Sequence, residues 1–425
     1  MPNRLTSIHR AWWIVLITFL TLISAAAFRS TTGVMLVPLE TEFGWSRSLT
    51  SSAVALNLLM YGLTAPFAAT LIERFSMRRV VSLALLLVSS GLLLTTVMTA
   101  SWQLIVLWGL FVGFGTGCLA LVFGAAVANR WFVERRGLIT GIFSAGYATG
   151  SMIFLPLLTF MITNHGWRSA SITVALFAAV MSPLVFLFLR DRPSDLGLLP
   201  YGATEAPELG PAAPATARGA IEVLVTSMKH PAFWVLAFTF FVCGWSTNGL
   251  IGTHFIPAAH DHGMPATTAA SLLAVVGIFD LIGTIGSGWL TDKVSSMWLL
   301  VFFYGMRGLA LLTIPAVLGP HVKPPLLFFI IFYGLDWIAT VPPTVQLCRE
   351  YFGLARSGVV YGWVFAAHMI GAAIAASFAG WIRESKGDYS IAWYTAATLC
   401  LVAAGSLFLL RKIPTLKQRE ELSVH

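Results

Sequence analysis

The sequence predicts an all-helical integral membrane protein with twelve transmembrane helices in two pseudo-symmetric six-helix bundles. The composition gives the first reason: of 425 residues, 57% are hydrophobic and only 10% are charged, with a mean hydropathy of +0.82. A soluble protein carries about 25% charged residues, so much of this surface must face lipid. The apolar residues form long unbroken runs rather than alternating ten-residue segments, which favours helices over a closed barrel. The third reason is an internal repeat that divides these runs six and six.

Twelve apolar runs approach the length of about 20 residues that a transmembrane helix requires. We number them helix 1 to helix 12 in chain order. Their predicted spans are 11–38, 49–71, 79–99, 102–129, 137–163 and 169–189 in the first half, then 231–258, 266–290, 297–318, 324–346, 357–382 and 389–410 in the second. The first run has an alternative interpretation as a signal peptide, because Arg4 and Arg10 precede it and an A-x-A-like "SAAAF" lies near its end. We favour a retained helix, since the repeat requires it.

The 26 Lys and Arg residues are distributed unequally between the two sides of the predicted helices. With the N-terminus inside, nineteen lie in cytoplasmic segments, five lie on the opposite side, and two, Arg29 and Arg307, lie within helices. This positive-inside bias predicts a multi-pass membrane protein with both termini cytoplasmic, and we expect it to lie in a bacterial inner membrane. The net charge of +8 therefore gives no reason to expect a nucleic-acid partner.

Neither catalysis nor metal binding has support in the sequence. The four cysteines form no CxxC motif and fall within the predicted helices at Cys118, Cys243, Cys348 and Cys400. There is no G-x-S-x-G, no H-E-x-x-H and no glycine-rich phosphate loop after a strand. We therefore expect no enzymatic activity, no cofactor and no metal.

An internal repeat defines the domain organisation. Residues 190–230 are weakly apolar and rich in Pro, Ala and Gly, and they predict a cytoplasmic linker between a bundle at 1–189 and a bundle with a cytoplasmic tail at 231–425. An offset of 219 residues brings matching residues together across five helices, and near the end the offset becomes 221. The matches include Gly33 with Gly252, Gly44 with Gly263, Glu73-Arg74 with Asp292-Lys293, Gly115 with Gly334, Arg130 with Arg349, and Gly150 with Gly371. A duplicated unit implies a pseudo-two-fold axis along the membrane normal, with a substrate between the halves.

The two loops after helices 2 and 8 carry a family resemblance. "ATLIERFSMRR" and "GWLTDKVSS" resemble the G-x-x-x-D-[RK]-x-G-x-[RK] loop of the major facilitator superfamily of transporters, and the resemblance extends along nearly the whole chain. It implies cytoplasmic gating by Glu73, Arg74, Arg78, Asp292 and Lys293, with solvated topological anchors as the alternative. We expect Gly288 to permit close helix approach in this region.

Four other segments are similar to a narrower group. "EFGWSRS" (42–48), "RWFVERRGLITGIFSAG" (130–146), "GWRSAS" (166–171) and "LRDRPSDLGLLPYG" (189–202) resemble bacterial monocarboxylate-transporter-like proteins, a group that includes relatives of the oxalate–formate antiporter. Human-type members carry an Asp-x-x-x-Arg pair on helix 8. Here Asp280 is present, but Thr284 stands at the Arg position.

Ionisable residues inside membrane helices are costly and usually face a cavity or each other. Arg29 on helix 1 is the leading candidate for binding a substrate carboxylate, and its repeat mate on helix 7 is Asn248. The resemblance implies that both helices line the central cavity. The alternative for Arg29 is a structural pair with Glu40 or Glu42.

The other buried polar residues complete the candidate site. Asp280 has Tyr61 as its repeat mate, with Asn57 one turn earlier. We expect Asp280 to carry a proton, with a fixed structural pair as the alternative.

A second charged pair and a second pair of repeat mates remain. For Asp336 and Arg307 we favour a structural ion pair, with proton coupling as the alternative. Tyr147 and His368 are repeat mates on helices 5 and 11. His368 is either a proton shuttle or substrate donor, or a helix-packing residue.

These features predict a monomeric secondary transporter that carries a small organic anion of the monocarboxylate type by alternating access. Its partners are that anion, protons and the lipid bilayer, through either proton symport or exchange. A multidrug exporter of the same fold is the alternative, although an acidic, aromatic cavity would then be expected in place of Arg29. A carrier of a neutral or zwitterionic solute and a non-transporting sensor or channel are further alternatives.

Overall fold

The computed structural model describes residues 10–119, 121–134, 136–203, 205, 217–291 and 293–418, and gives only the backbone at some helical positions, Glu73 and Tyr147 among them. The helices of the first half are Arg10–Phe43, Arg47–Phe75, Met77–Thr95, Ser101–Cys118 continued by Leu121–Trp131, Arg136–His165, and Trp167–Phe188. Those of the second half are Pro231–Asp261, Ala266–Thr291, Ser296–Val317, Pro324–Asp336 continued by Val341–Phe352, Leu354–Lys386, and Ser390–Ser406. They correspond in order to helices 1 to 12.

The prediction of an all-helical membrane protein is confirmed. Within the described residues, eleven helices are long and apolar enough to cross a membrane. The remaining predicted span, helix 5 at 137–163, coincides with Arg136–His165. This helix has 30 residues, and several of its side chains are not among the described ones. Large apolar side chains such as Phe328, Ile285 and Leu83 are exposed on the periphery, as a surface in contact with lipid requires.

Three helices are irregular. Helix 4 is π-helical over Ile105–Val112, and helix 7 is π-helical over Trp245–Ile251. Helix 10 stops at Asp336 and restarts at Val341, and helix 4 has a similar interruption between Cys118 and Leu121. The two interruptions lie at corresponding positions of the repeat, where the offset of 219 maps Cys118 onto residue 337. Such irregular turns are frequent at functional sites.

Repeated glycines occupy equivalent places in the two halves. Gly44 and Gly263 have φ angles of 67° and 82° in the turns that follow helices 1 and 7, a conformation that glycine adopts without strain. Gly33 and Gly252 face each other across the interface between those helices. A Cβ atom on Gly33 would lie 3.1 Å from the carbonyl oxygen of Gly252. Two repeat mates in mutual contact are expected where a pseudo-two-fold axis passes between them.

Close backbone approach at glycine holds neighbouring helices together, as expected where lipid leaves no hydrophobic driving force between them. A Cβ on Gly371 of helix 11 would lie 2.1 Å from the carbonyl oxygen of Phe241 on helix 7. Gly283 of helix 8 makes a similar close approach, because a Cβ there would lie 1.8 Å from the carbonyl oxygen of Leu335 on helix 10. The expected close approach at Gly288 is not found among the described residues, none of which has an atom within 4 Å of a Cβ placed there.

The described parts of the predicted linker pack against the bundles. The Tyr201 N–H donates to the Trp131 carbonyl at 2.8 Å, and its ring lies against Trp12 and Phe132. A short helix, Ala217–Met228, receives a hydrogen bond of 3.0 Å from Trp363 of helix 11 to the Ala220 carbonyl. The part of the segment before residue 206 therefore contacts the first half, and the helix after residue 216 contacts helix 11 of the second half.

Candidate functional site

Four of the predicted binding residues lie in one continuous cluster between the halves. The Arg29 guanidinium of helix 1 lies 4.7 Å from the centre of the Tyr61 ring of helix 2. Tyr61 contacts Phe365 of helix 11 edge-on at 6.0 Å, and Phe365 stacks on His368 at 5.7 Å. His368 Nε2 lies 3.1 Å from Asn248 Nδ2 of helix 7. We call these five residues the Arg29 cluster.

The sequence analysis missed Phe365, which joins the two halves of the cluster. Phe365 precedes His368 by three residues, so both lie on one face of helix 11. That spacing was the available signal. Its direction could not be read from the sequence, because helix 11 also presents aromatic residues to other neighbours.

His368 brings a donor to the cluster. In the observed arrangement the Asn248 amide donates to Nε2, which places the proton of a neutral imidazole on Nδ1. The Phe240 carbonyl approaches the ring as a weak hydrogen-bond acceptor, and no described atom forms a well-aligned hydrogen bond with the buried Nδ1. This weakly satisfied donor can also serve a ligand acceptor.

The two arginines within the membrane helices occupy different environments. Arg307 is fully buried, and its guanidinium contacts Asp336 Oδ2 at 2.5 Å, Cys243 Sγ at 3.1 Å and Ser246 Oγ at 3.4 Å. Arg29 is only partly buried. Arg307 therefore joins helices 7, 9 and 10, whereas Arg29 retains accessible surface at the interface between the halves.

Arg307 also satisfies the backbone where helix 10 is interrupted. Its Nη2 donates to the carbonyl of Asp336 at 2.6 Å and to that of Trp337 at 3.2 Å. These carbonyls have lost their helical partners, and an unsatisfied carbonyl inside a membrane costs several kcal/mol. The predicted structural pair is present, and its backbone contacts explain why a cation is needed there.

Asp280 of helix 8 also forms a hydrogen bond with the backbone at the interruption of helix 10. Its Oδ1 accepts the N–H of Ile338 at 2.9 Å and the hydroxyl of Thr284 at 3.0 Å. Thr284 stands where related proteins carry an arginine, and here its hydroxyl reaches the carboxylate within the same helix. The described ion pairs do not include one between Asp280 and Arg29.

Asn57 and Tyr147 are the two predicted binding residues that are not part of the Arg29 cluster as described. The Asn57 amide is buried and donates to the Trp108 carbonyl at 2.8 Å, inside the π-helical stretch of helix 4. Widened π turns leave carbonyls without their usual partners, and Asn57 satisfies one of them on helix 4; its predicted role in substrate binding stays a prediction. The Tyr147 side chain lies outside the described residues.

A second polar network joins the two halves, and it was not predicted from the sequence. Arg47 at the start of helix 2 forms a two-pronged ion pair with Glu40, and its Nη1 donates to the Tyr389 hydroxyl at 2.5 Å. The same hydroxyl lies 3.3 Å from His254 Nδ1. We call Glu40, Arg47, His254 and Tyr389 the Glu40 network; it joins helices 1 and 2 to helices 7 and 12.

The Glu40 network also bears on the alternative role of Arg29. Glu40 is held by Arg47, and Glu42 contacts Arg168 at 2.6 Å and the Trp167 indole at 2.7 Å. Both carboxylates proposed as structural partners of Arg29 are thus engaged with other residues.

The predicted gating loops are described in part. The Glu73 side chain and Asp292 lie outside the described residues. Each of the three cations lies over an aromatic ring: Arg74 over Phe75 at 5.2 Å, Arg78 over Phe186 at 5.6 Å, and Lys293 over Trp289 at 3.8 Å.

Comparisons with known proteins agree with this architecture. The family model described as Major Facilitator Superfamily matches residues 17–376. Similar proteins include an uncharacterized MFS-type transporter YcxA of Bacillus subtilis (24% identity, 99% of both chains) and monocarboxylate transporter 13 of Rattus norvegicus (25% identity, 94% of this chain and 88% of that one). Monocarboxylate transporter 11 of Mus musculus is 28% identical over 87% of this chain and 80% of its own.

Two solved structures show the same fold. A bacterial homolog of the human lysosomal transporter Spinster, inward-facing and occupied, has a TM-score of 0.74 at 15% identity, covering 96% of this chain and 98% of that one. An auto-inhibited peptide transporter of the POT family has a TM-score of 0.69 at 10% identity, covering 95% and 97%.

Proposed function

Because the chain belongs to the Major Facilitator Superfamily, whose members are transporters and not enzymes, we propose that it carries a small organic anion of the monocarboxylate class across the membrane by alternating access. The superfamily membership accounts for secondary transport. The substrate class is inferred from the Arg29 cluster, and the distant similarity to monocarboxylate transporters supports it.

Arg29 is the observation that carries the proposal. A guanidinium stays charged at physiological pH and presents donors that match a carboxylate. This one is partly accessible and lies against Tyr61, whose ring contacts Phe365 of the second half. The buried His368 Nδ1 and the Asn248 amide add neutral hydrogen-bonding groups from the second half. A small anion that bridges Arg29 and these groups would contact both halves at once.

Alternating access requires the two faces of the molecule to open in turn. In this structure the Glu40 network and the Gly33–Gly252 contact join the halves on one side of the Arg29 cluster. Opening that face requires the hydrogen bond between Arg47 and Tyr389 to break. A substrate shifts the equilibrium only by its different affinity for the two states.

We assign proton coupling to Asp280 in preference to Asp336. Asp336 is held by Arg307, and protonating it would leave that buried cation without its counter-ion. Asp280 has two neutral donors, Ile338 N–H and Thr284, so its protonation changes the hydrogen bonds at the helix 10 interruption without exposing a charge. Proton binding at Asp280 would thereby alter the conformation of helix 10. Exchange of one anion for another remains the alternative mode.

Transport by the purified protein in proteoliposomes tests the proposal. Radiolabelled lactate, pyruvate, oxalate and a zwitterionic amino acid are offered with and without an imposed pH gradient. We expect monocarboxylate uptake that the Arg29→Gln variant lacks. Arg218→Gln is the matched control, because Arg218 is an exposed arginine that pairs with Glu222 on the linker helix. Equal uptake by both variants, or uptake of the zwitterion alone, would overturn the substrate assignment.

A further inference from the structure

A surface pocket of about 680 Å³ lies at one end of the first half, where helix 2 ends 14 residues beyond Tyr61 of the Arg29 cluster. It is formed where helix 2 turns into helix 3 and where helices 4 and 6 end. Six arginines line it: Arg74, Arg78, Arg79, Arg130, Arg190 and Arg192. Its volume lies within the range of about 300–1,000 Å³ that is usual for ligand pockets.

The pocket has a strong positive excess. The six arginines outnumber the two carboxylates in its lining, Asp191 and Asp195. Both carboxylates also accept backbone N–H groups, Asp191 from Arg78 at 3.3 Å and Asp195 from Arg192 at 3.0 Å. Among the ion pairs of the described residues, none involves Arg74, Arg78, Arg79 or Arg190.

Apolar rings place the pocket at the boundary with lipid. Phe75 lines it and is 48% exposed, and Phe186 and Phe188 at the end of helix 6 are 47% and 58% exposed. Arg74 and Arg78 lie over Phe75 and Phe186. The cations are thus held beside a surface that faces acyl chains, at the level where phospholipid headgroups lie.

The turn between helices 2 and 3 adds two further features. Ser76 has a φ of 75°, and it is the one non-glycine residue in the described chain with a positive value. Ser76 lines the pocket, and its buried hydroxyl has no hydrogen-bond partner among the described residues. The N-terminus of helix 3 begins at the next residue and contributes positive potential at the same place.

We propose that this pocket binds the phosphate headgroup of an anionic phospholipid, with the acyl chains along Phe75, Phe186 and Phe188. Arginines suit this ligand because their planar donors match phosphate oxygens, and basic pockets between transmembrane helices bind such headgroups. The site would tie the turn between helices 2 and 3 to the segment that follows helix 6.

Native mass spectrometry of the full-length protein, released from nanodiscs of stated composition, tests the proposal. Phosphatidylglycerol and cardiolipin are compared with phosphatidylcholine. Each interfacial arginine contributes roughly fivefold to affinity for an anionic lipid surface, so the variant Arg74→Gln/Arg78→Gln/Arg79→Gln should retain the anionic lipids about 100-fold more weakly. The matched control is Arg411→Gln/Lys412→Gln/Lys417→Gln, which removes the same charge from the exposed end of the chain after helix 12, outside the pocket, and should weaken retention much less than the pocket variant.

The triple Arg→Lys variant separates binding from folding, because it keeps the charge and should retain most of the affinity. Equal thermal midpoints in phosphatidylcholine would show that the glutamine variant is folded. The proposal is overturned if anionic and zwitterionic lipids are retained equally, or if the glutamine variant binds like the control. It is also overturned if inorganic pyrophosphate binds in detergent and anionic lipid fails to displace it, since the ligand would then be a free polyphosphate.

Discussion

The hydrogen bond between Arg47 and Tyr389 offers a sharp test of how one face of the transporter is held closed. Arg47 and Glu40 belong to the first half, so their ion pair does not itself join the halves. The link across the interface is the bond from Arg47 Nη1 to the Tyr389 hydroxyl, 2.5 Å long. Tyr389→Phe removes this bond and the contact with His254, and it leaves the ring and the ion pair in place.

The size of the expected shift in the equilibrium between the closed and open states follows from the strength of that hydrogen bond. A hydrogen bond from a charged donor contributes about 1.5–3 kcal/mol net. If the bond breaks completely when this face opens, its loss should shift the equilibrium towards the open state by about 10- to 150-fold, since 1.4 kcal/mol is tenfold. The Glu384 carboxylate, which accepts the Ser48 N–H at 3.2 Å, remains as a second cross-link and sets a limit on the shift.

Distance measurements by double electron–electron resonance provide the assay. Spin labels at Asn164→Cys and Lys386→Cys lie on exposed ends of helices 5 and 11, one in each half. The four native cysteines are buried and should label poorly. We expect Tyr389→Phe to populate a longer distance that is rare in the parent protein.

Tyr304→Phe is the matched control, because the buried Tyr304 hydroxyl has no hydrogen-bond partner among the described residues. It should leave the distance distribution unchanged. If Tyr389→Phe and Tyr304→Phe give the same distribution as the parent, the Glu40 network does not hold this face closed, and the reasoning is refuted.

Four further predictions concern the site, the packing and the topology. Arg29→Lys keeps the charge but loses the forked donor pair, so we expect its apparent affinity for the anion to fall roughly tenfold. For Arg29→Gln, which also loses the charge, we expect a fall of about 100-fold or more. Unchanged affinity of both variants in flux assays would make Arg29 structural. Asp280→Asn should abolish uptake driven by a pH gradient while sparing exchange, because the amide resembles the protonated carboxyl, and full accumulation would move the proton to another residue. Gly283→Ala should lower the thermal midpoint strongly, because its Cβ would lie 1.8 Å from a helix 10 carbonyl, whereas Gly288→Ala, with open space, should not; similar midpoints would contradict the packing. A protease site near Ala213 should be cut only from the cytoplasmic side, and cleavage from outside intact cells would reverse the topology.

Much of the architecture could be read from the sequence because it depends on properties that accumulate along the chain. Lipid requires long apolar helices, so composition and run length were enough to predict the all-helical membrane fold. Gene duplication leaves matching residues at a constant offset, and Gly33 and Gly252, matched in this way, face each other in the structure. Charged residues within membrane helices are costly, so Arg29, Asp280, Arg307 and Asp336 could be identified as important.

Tertiary structure alone decided which groups these residues meet. Arg29 and Arg307 have the same chemistry and similar apolar flanks, but Arg307 is enclosed by the interruption of helix 10 and Arg29 lies at the interface between the halves. The interruption itself and the π-helical stretches that occupy Asn57 arise from helix packing, which leaves no periodic signal. The Glu40 network joins residues 342 positions apart, and a pairing over that distance is set by how the two halves dock. Sequence thus determined which residues are costly to bury, and the docking of helices determined what offsets that cost.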